Sequence, residues 1–193
     1  MNNKKDIFVF SGQSGAGKGT LISELRRRHL GKFYYIRSMT SRSPRTKGSP
    51  EDIRRDRENY IFLSPDQFEK EIKAGELLEW AKVHGKYYGK PMSEFTAAET
   101  ANKIALVEID VQGAEAVKKR FGDRVVSIFI VAPSLEELEN RLRNRGTETE
   151  EEIRTRLKTA EEEIKFAEEY DYQVVNDEID QAVAEIEQIM FQK

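Results

Sequence analysis

The stretch IFVFSGQSGAGKGT, from Ile7 to Thr20, decides how this chain reads. An apolar run rich in β-branched and aromatic residues, Ile7–Ser11, predicts a buried strand. It leads directly into Gly12-Gln13-Ser14-Gly15-Ala16-Gly17-Lys18, and then into a segment with Leu21, Ile22 and Leu25 on one helical face. Strand, G-x-x-x-x-G-K, helix is the context in which that motif has a physical meaning. Glycines let the backbone wrap so that several N–H groups point at one phosphate. The helix start adds its positive dipole end, and Lys18 adds a full charge. Gly12, Gln13, Ser14, Gly15, Ala16, Gly17, Lys18, Gly19 and Thr20 are therefore the candidate residues for a nucleoside triphosphate. The hydroxyl usual after the lysine is missing, because position 19 is glycine, so a metal-side oxygen comes from Thr20 or from water.

Outward from the loop, further short apolar runs predict strands at Ile104–Asp110, Val125–Ala132 and Tyr172–Asn176, with another at Phe33–Thr40. Helical patterns lie between them. Ser64-Pro65-Asp66-Gln67, Ser134-x-x-Glu137 and Thr149-x-x-Glu152 read as helix starts with capping boxes. The last helix carries Ile179, Ala182, Val183, Ile186, Ile189 and Met190 at core-facing spacing. Strands alternating with helices predict an α/β fold with a parallel sheet flanked by helices. Two stretches break the alternation. Residues 37–95, rich in Arg, Tyr, Gly and Pro, predict a small, partly β lobe. Residues 135–165 predict a charged helical segment broken at Arg145-Gly146. Arg45–Glu58 has one isoleucine and no apolar period, which predicts an exposed, mobile loop.

Composition bounds the function. The 193 residues suit one domain, and 38% hydrophobic content suffices for a core. A net charge of −3 argues against a nucleic-acid coat, though not against a local basic cleft for a small anion. The absence of cysteine excludes disulfides, thiolate metal sites and cysteine nucleophiles. No apolar run approaches the ~18 residues of a membrane span, and the first residues lack a signal-peptide pattern. A cytoplasmic protein with no membrane partner is expected.

A second anion site is legible downstream. Ser38-Met39-Thr40-Ser41-Arg42-Ser43-Pro44-Arg45 ends a strand and presents two guanidiniums around a stiff turn. Arginine forks grip phosphate oxygens in pairs. Tyr60 and the pair Tyr87-Tyr88 offer phenolic donors, and the Glu79 carboxylate can accept from a base edge. Taken singly, these residues also read as solvated charges and packing aromatics. His29 and His84 have no catalytic context.

The segments GQSGAGKGT, SMTSRSPR, ENYIF, LLEWA, YYG, EIDVQG, RLRNRGTETEEEIRTRL and YDYQVVND run in order from Gly12 to Asp177. Their kind and order resemble the guanylate kinases over nearly the whole chain. The resemblance implies a phosphate-loop kinase core, a nucleoside-monophosphate lobe at about 37–95 and a helical lid at about 135–165. It implies phosphoryl transfer from ATP to GMP, with dGMP a further acceptor, and with Mg²⁺. It places Ser38, Arg42, Arg45, Tyr60, Glu79 and Tyr88 around GMP, the arginines and tyrosines on its phosphate and Glu79 on its guanine. Lys18 and Arg42 would serve catalysis, with Arg141, Arg145 and Arg156 near the transferred phosphoryl, and Asn176 near the adenine.

The chain departs from the family pattern near the base. Lys90 stands where a small hydroxyl residue usually follows YYG. Glu108-Ile109-Asp110 replaces Asp-Ile-Asp, with Glu108 and Asp110 still expected at the substrate. Between Arg45 and Tyr60 the chain is roughly six residues longer than usual, which a surface loop tolerates. The glutamate usual after the second arginine has no clear counterpart. Two other readings share these residues: a kinase for another phosphorylated acceptor such as ribose 1,5-bisphosphate, and a binding module of this family without catalysis. The first fits Lys90 and Glu108, but Ser38, Glu79 and Tyr88 speak against it. The second would be expected to lose Gly12, Gly17 and Lys18, which are present.

Overall fold

The computed structural model describes residues 4–83, 85–145 and 149–191, with only the backbone of Arg145. The chain opens with strand β1 (Ile7–Gly12), helix α1 (Lys18–Arg28) and strand β2 (Phe33–Tyr35). A lobe follows, comprising β3 (Ser38–Thr40), α2 (Pro50–Asn59), β4 (Tyr60–Phe62), α3 (Pro65–Ala74), β5 (Leu77–Val83) and β6 (Lys86–Pro91). The chain then forms α4 (Met92–Thr100), β7 (Ile104–Glu108), α5 (Val111–Phe121) and β8 (Val125–Val131). It ends with α6 (Leu135–Arg145), α7 (Glu150–Glu163), β9 (Tyr172–Val175) and α8 (Ile179–Phe191).

Two sheets result. A five-stranded sheet in the order β2-β7-β1-β8-β9 has every pairing parallel. Its central strand β1 is buried at every residue. Alternation divides the core: Phe8 and Phe10 join Leu21, Ile22, Leu25, Val183 and Ile186 on the α1 and α8 side. Ile7 and Val9 join Phe95, Ala98, Ala114 and Val117 on the α4 and α5 side. The α/β layering expected from the sequence is thus the observed one. The lobe carries the second sheet, in the order β4-β3-β6-β5.

Several expectations are corrected. Phe33–Thr40 is two strands in two sheets. The chain leaves the core at Ile36 and Arg37, where the Ile36 N–H still donates to the Leu106 carbonyl at 2.9 Å while Arg37 turns to Glu94. Asp110 is not a strand residue; it caps α5, its carboxylate accepting from the Gly113 N–H at 2.8 Å. Ile179, expected in the core, is exposed in the first turn of α8. The largest correction is Arg45–Glu58. Most of that stretch is helix α2, started by Ser49, which accepts from the Asp52 N–H at 3.1 Å, and by Pro50 at its first turn. No apolar period is visible because the inward stripe of α2 is polar, with Asp56 as its buried residue. The capping boxes at Ser64 and Thr149 are complete, and Ser134 accepts from the Glu137 N–H at 3.0 Å. Gly146, the expected break after α6, lies outside the described residues. Among the described residues no helix is long and apolar enough to cross a membrane.

Candidate functional site

The phosphate loop hangs between β1 and α1, and two of its glycines are required by their surroundings. Gly12 has φ 134°, and a Cβ there would sit 2.1 Å from the Ile130 carbonyl oxygen on β8. Gly17 has φ 92°, and a Cβ would sit 2.4 Å from Asn176 Nδ2. Lys18 Nζ lies across the loop, donating to the carbonyls of Gly12 at 2.6 Å and Gln13 at 3.0 Å. The Ser14 N–H donates to the Glu163 carboxylate at 2.7 Å, so the far end of α7 already places an anion against this loop.

Two residues expected at the nucleotide, Gln13 in the loop and Asn176 near the adenine, act from behind. Gln13 turns its side chain inward, Oε1 accepting from the Ala132 N–H at 2.9 Å, and contributes backbone alone to the loop. Asn176 is buried and donates from Nδ2 to the Ala16 carbonyl at 2.7 Å, bracing the loop. Its Oδ1 is buried with no partner.

Facing the loop is a cleft of about 310 Å³, lined on one wall by Ser14, Gly17, Lys18 and Thr20, and on the other by Arg45, Arg55, Tyr60 and Arg156. Arg42 is anchored beside it. Its guanidinium pairs with both oxygens of Asp56 on α2 and lies over the rings of Tyr60 at 4.6 Å and Phe62 at 5.4 Å. The Arg45 N–H also donates to Asp56, at 2.9 Å. Burial pushes the Asp56 carboxyl up, but the Arg42 hydrogen bonds and the Arg45 N–H outweigh it and hold it below its usual range. Tyr88 sits edge-on to Tyr60 with ring centres 6.5 Å apart. Tyr87, one residue earlier, points to the other face, stacking on Phe68 at 5.2 Å and donating to Glu69. Period two in β6 separates the pair that the sequence left together. Ser38 opens β3 in register with Tyr60.

Next to this wall is a group of charges around the buried Lys90. Glu79 on β5 stands opposite Lys90 on β6. Lys90 is 2% exposed, and its Nζ donates to the Ile36 carbonyl at 2.9 Å. Burial pulls Lys90 down to about 8, against the pull of Glu108, Glu79, Glu94 and Asp110. Burial, with Asp110 nearby, pushes Glu79 up to about 7, and Lys90 limits the rise. Glu108 accepts from the Tyr35 hydroxyl at 3.1 Å and lines the cleft beside Gly19. The lysine that breaks the family pattern is thus an interior cation among carboxylates.

The remaining candidates divide. Arg156 on α7 lines the cleft. Arg141 on α6 lines a different cavity, of about 730 Å³, with Gly15, Gly17 and Asn176; it donates to the carbonyl of Asn176 at 2.9 Å and pairs with Glu137 at 2.7 Å. The side chain of Arg145 lies outside the described residues, as does His84. His29 pairs with Glu187 at 2.8 Å and packs on Phe33 and Phe191, away from the cleft. Sequence reasoning missed Asp52, Arg55, Asp56 and Asn59, which all line the cleft. Their signal was present in the Ser49-Pro50-Glu51-Asp52 helix start and the three- and four-residue spacing that follows.

A triphosphate loop and an arginine-tyrosine anion site facing each other across one cleft define a phosphate-loop phosphotransferase with a phosphorylated acceptor. The guanylate kinase family model matches residues 4–193. Guanylate kinase of Clostridium tetani is 43% identical over 95% of this chain and 84% of its own length, and that of Desulfitobacterium hafniense 45% identical over 95% and 88%. The crystal structure of guanylate kinase from Anaplasma phagocytophilum matches with a TM-score of 0.70 at 29% identity, over 98% of this chain and 86% of that one. The chain belongs to the guanylate kinase family.

Proposed function

We propose that this chain transfers the γ-phosphoryl group of ATP to GMP or dGMP, giving ADP and GDP or dGDP, in the cytoplasm. The observation that carries the reading is the pair of anion sites across one cleft, with the half-buried Glu79 carboxylate opposite Lys90 beside the acceptor wall. A phosphate oxygen of GMP attacks the γ-phosphorus, and the bond from that phosphorus to the β-bridging oxygen breaks with its electron pair leaving on ADP. The attacking oxygen is already anionic, so no general base is needed. What the protein supplies is position and positive charge. The phosphate-loop N–H groups and Lys18 hold the ATP phosphates. Arg42, Arg45, Tyr60 and Tyr88 hold the GMP phosphate, with Ser38 beside them. Glu79 accepts from the guanine ring N–H and amino group, with Asp110 nearby and Glu108 on the cleft wall. We assign residues 37–95 to the acceptor lobe and 135–165 to a lid that brings Arg141, Arg145 and Arg156 toward the phosphates and excludes water. Asn176 braces the loop near the adenine end.

The donor set suits a metal that arrives with the nucleotide. Among the described residues no cluster of three or more His, Asp or Glu side chains forms a cage, while Thr20 places its hydroxyl on the cleft wall. That matches Mg²⁺, which keeps its waters and binds substrate phosphates with few protein ligands. Thr20 would hold it, and bound there it offsets phosphate charge.

The test is ADP release with Mg²⁺-ATP against GMP, dGMP, IMP, AMP, UMP, CMP and ribose 1,5-bisphosphate. Selective turnover of GMP and dGMP is expected. Silence on GMP with ATP still bound overturns the acceptor assignment.

A further inference from the structure

Helix α2 lies within the stretch that is longer than the family pattern, and its faces differ in kind. Outward, Arg54 pairs with Glu51 at 3.6 Å and Glu58 at 3.0 Å, an ordinary solvated ladder. Inward, Asp52, Arg55, Asp56 and Asn59 form one stripe at helical spacing, and all four line the cleft. A helix with a polar inner stripe is not packed on a core; it faces something charged. Asp56 accounts for itself by holding Arg42 and Arg45. Arg55 does not. Its side chain is 23% exposed and reaches from the lobe to the core, with Nη1 3.4 Å from Thr20 Oγ1 and Nη2 3.5 Å from Asp52. Both distances are long for a guanidinium. Its Nε is buried with no acceptor, while one turn on the Asn59 Oδ1 is buried with no donor. A buried donor without an acceptor is rare and costly, and where it faces a cleft it points to an absent ligand. The facing wall is Lys18, Gly19 and Thr20, with Glu108 beside Gly19, and the lysine and the helix start there suit an anion.

We propose that Arg55 is a further catalytic residue, donating from Nε and Nη1 to the oxygens of the phosphoryl group that crosses between Thr20 and the Arg42–Arg45 site. The proposal rests on the reading of the cleft as the place of phosphoryl transfer. It gives α2 a role: one residue, Asp56, fixes the acceptor arginines, while its neighbour Arg55 supplies charge from the lobe side. Because Arg55 stands on α2 and Thr20 on α1, their contact joins the two walls of the cleft at the place where the nucleotides' phosphates would meet.

The test compares wild type, Arg55→Ala, Arg55→Lys and, as a control on the outer face, Arg54→Ala. Turnover gives kcat and KM for GMP. Calorimetry in EDTA, without metal, gives the affinity for adenosine and guanosine joined through five phosphates, and for guanosine alone. For Arg55→Ala the expected result is a kcat about a hundredfold lower. Affinity for the phosphate-linked compound falls at least tenfold, while that for guanosine and the thermal midpoint are unchanged. Arg55→Lys recovers part of both losses, and Arg54→Ala matches wild type. If Arg55→Ala does not fold, Arg55→Lys is measured alone and must still lose kcat and affinity. An Arg55 variant with kcat and affinity within twofold of wild type overturns the proposal. So does a variant that turns over faster, which would make Arg55 a blocking group. Silence of the wild type on GMP breaks the reading of the cleft instead, and is seen before any variant is compared.

Discussion

The phosphate loop follows β1, a strand buried at all of its residues and paired on both sides. Arg42 and Arg45 follow β3, a three-residue strand with one buried residue, in a sheet whose strands β4 and β5 have none. The donor site is made of backbone, braced from behind by Gln13 and Asn176. The acceptor site is made of long side chains held by one another, Arg42 on Asp56 and over Tyr60, Lys90 among Glu79, Glu108 and Asp110. A backbone nest on a rigid sheet fixes where charge is received whether or not a ligand is there. Ion pairs between side chains hold a site in order while it is empty and can be exchanged for a ligand's oxygens when it arrives. The first design fixes position through the backbone, and the second fixes it through contacts between side chains.

That contrast is open to attack from both sides. Lys18→Ala removes the loop's own lysine charge, and kcat is expected to fall about a hundredfold to a thousandfold with the thermal midpoint unchanged. Steady-state kinetics beside a melting curve decide it; a midpoint that drops would mean that the loop depends on its lysine for structure.

On the acceptor side, Arg42→Ala should damage stability as well as binding, because it leaves Asp56 buried and short of its partner. A loss of about 3 kcal/mol is expected from breaking such a pair. In urea unfolding, adding Asp56→Asn to Arg42→Ala should return part of it, and no recovery would mean that the pair does not hold the lobe.

A smaller effect concerns pH. Burial pushes Glu79 from its ordinary 4.5 up to about 7, so under the proposed assignment to guanine its carboxylate is lost as pH falls through about 7. The KM for GMP is expected to rise by up to about tenfold per pH unit below that point. Lys90 holds Glu79 down, so Lys90→Met should move the inflection upward, measured as KM against pH; an unmoved inflection would separate the two charges. The stability signs follow from the same shifts. Because Glu79 holds its proton more tightly when folded, its contribution is present below about 4.5 and fades as pH rises through about 7. Lys90 releases its proton more readily when folded, so the cost of its burial fades between about 8 and 10.5.

The smallest change is Ser49→Ala, which removes the cap of α2. It should cost about 1 kcal/mol or less in thermal melts. It should raise the KM for GMP only a few-fold, through a loosened Asp56, and an unchanged KM would show that α2 needs no cap to hold that residue.

The sequence by itself determined the donor half. Glycines, a lysine and an apolar strand are adjacent in the chain, so a local motif carries their chemistry, and the core strands and capping boxes are local for the same reason. It also determined the family, through the order of short motifs from Gly12 to Asp177. The arginines and tyrosines of the second anion site are legible there too, and only the tertiary structure decided what surrounds them. Phe33–Thr40 reads as one strand until Ile36 and Arg37 are seen pinned to Leu106 and Glu94. Arg45–Glu58 reads as a loop because period-based reasoning looks for apolar stripes, and α2 turns a polar stripe toward the cleft. Lys90 reads as a departure from the family pattern until Glu79, Glu94, Glu108 and Asp110 are brought around it from β5, α4, β7 and the start of α5. The physical reason is one of range. Backbone geometry is set by neighbours in the chain, whereas burying a charge is tolerable only when distant residues supply its partners, and which ones do so is settled by packing.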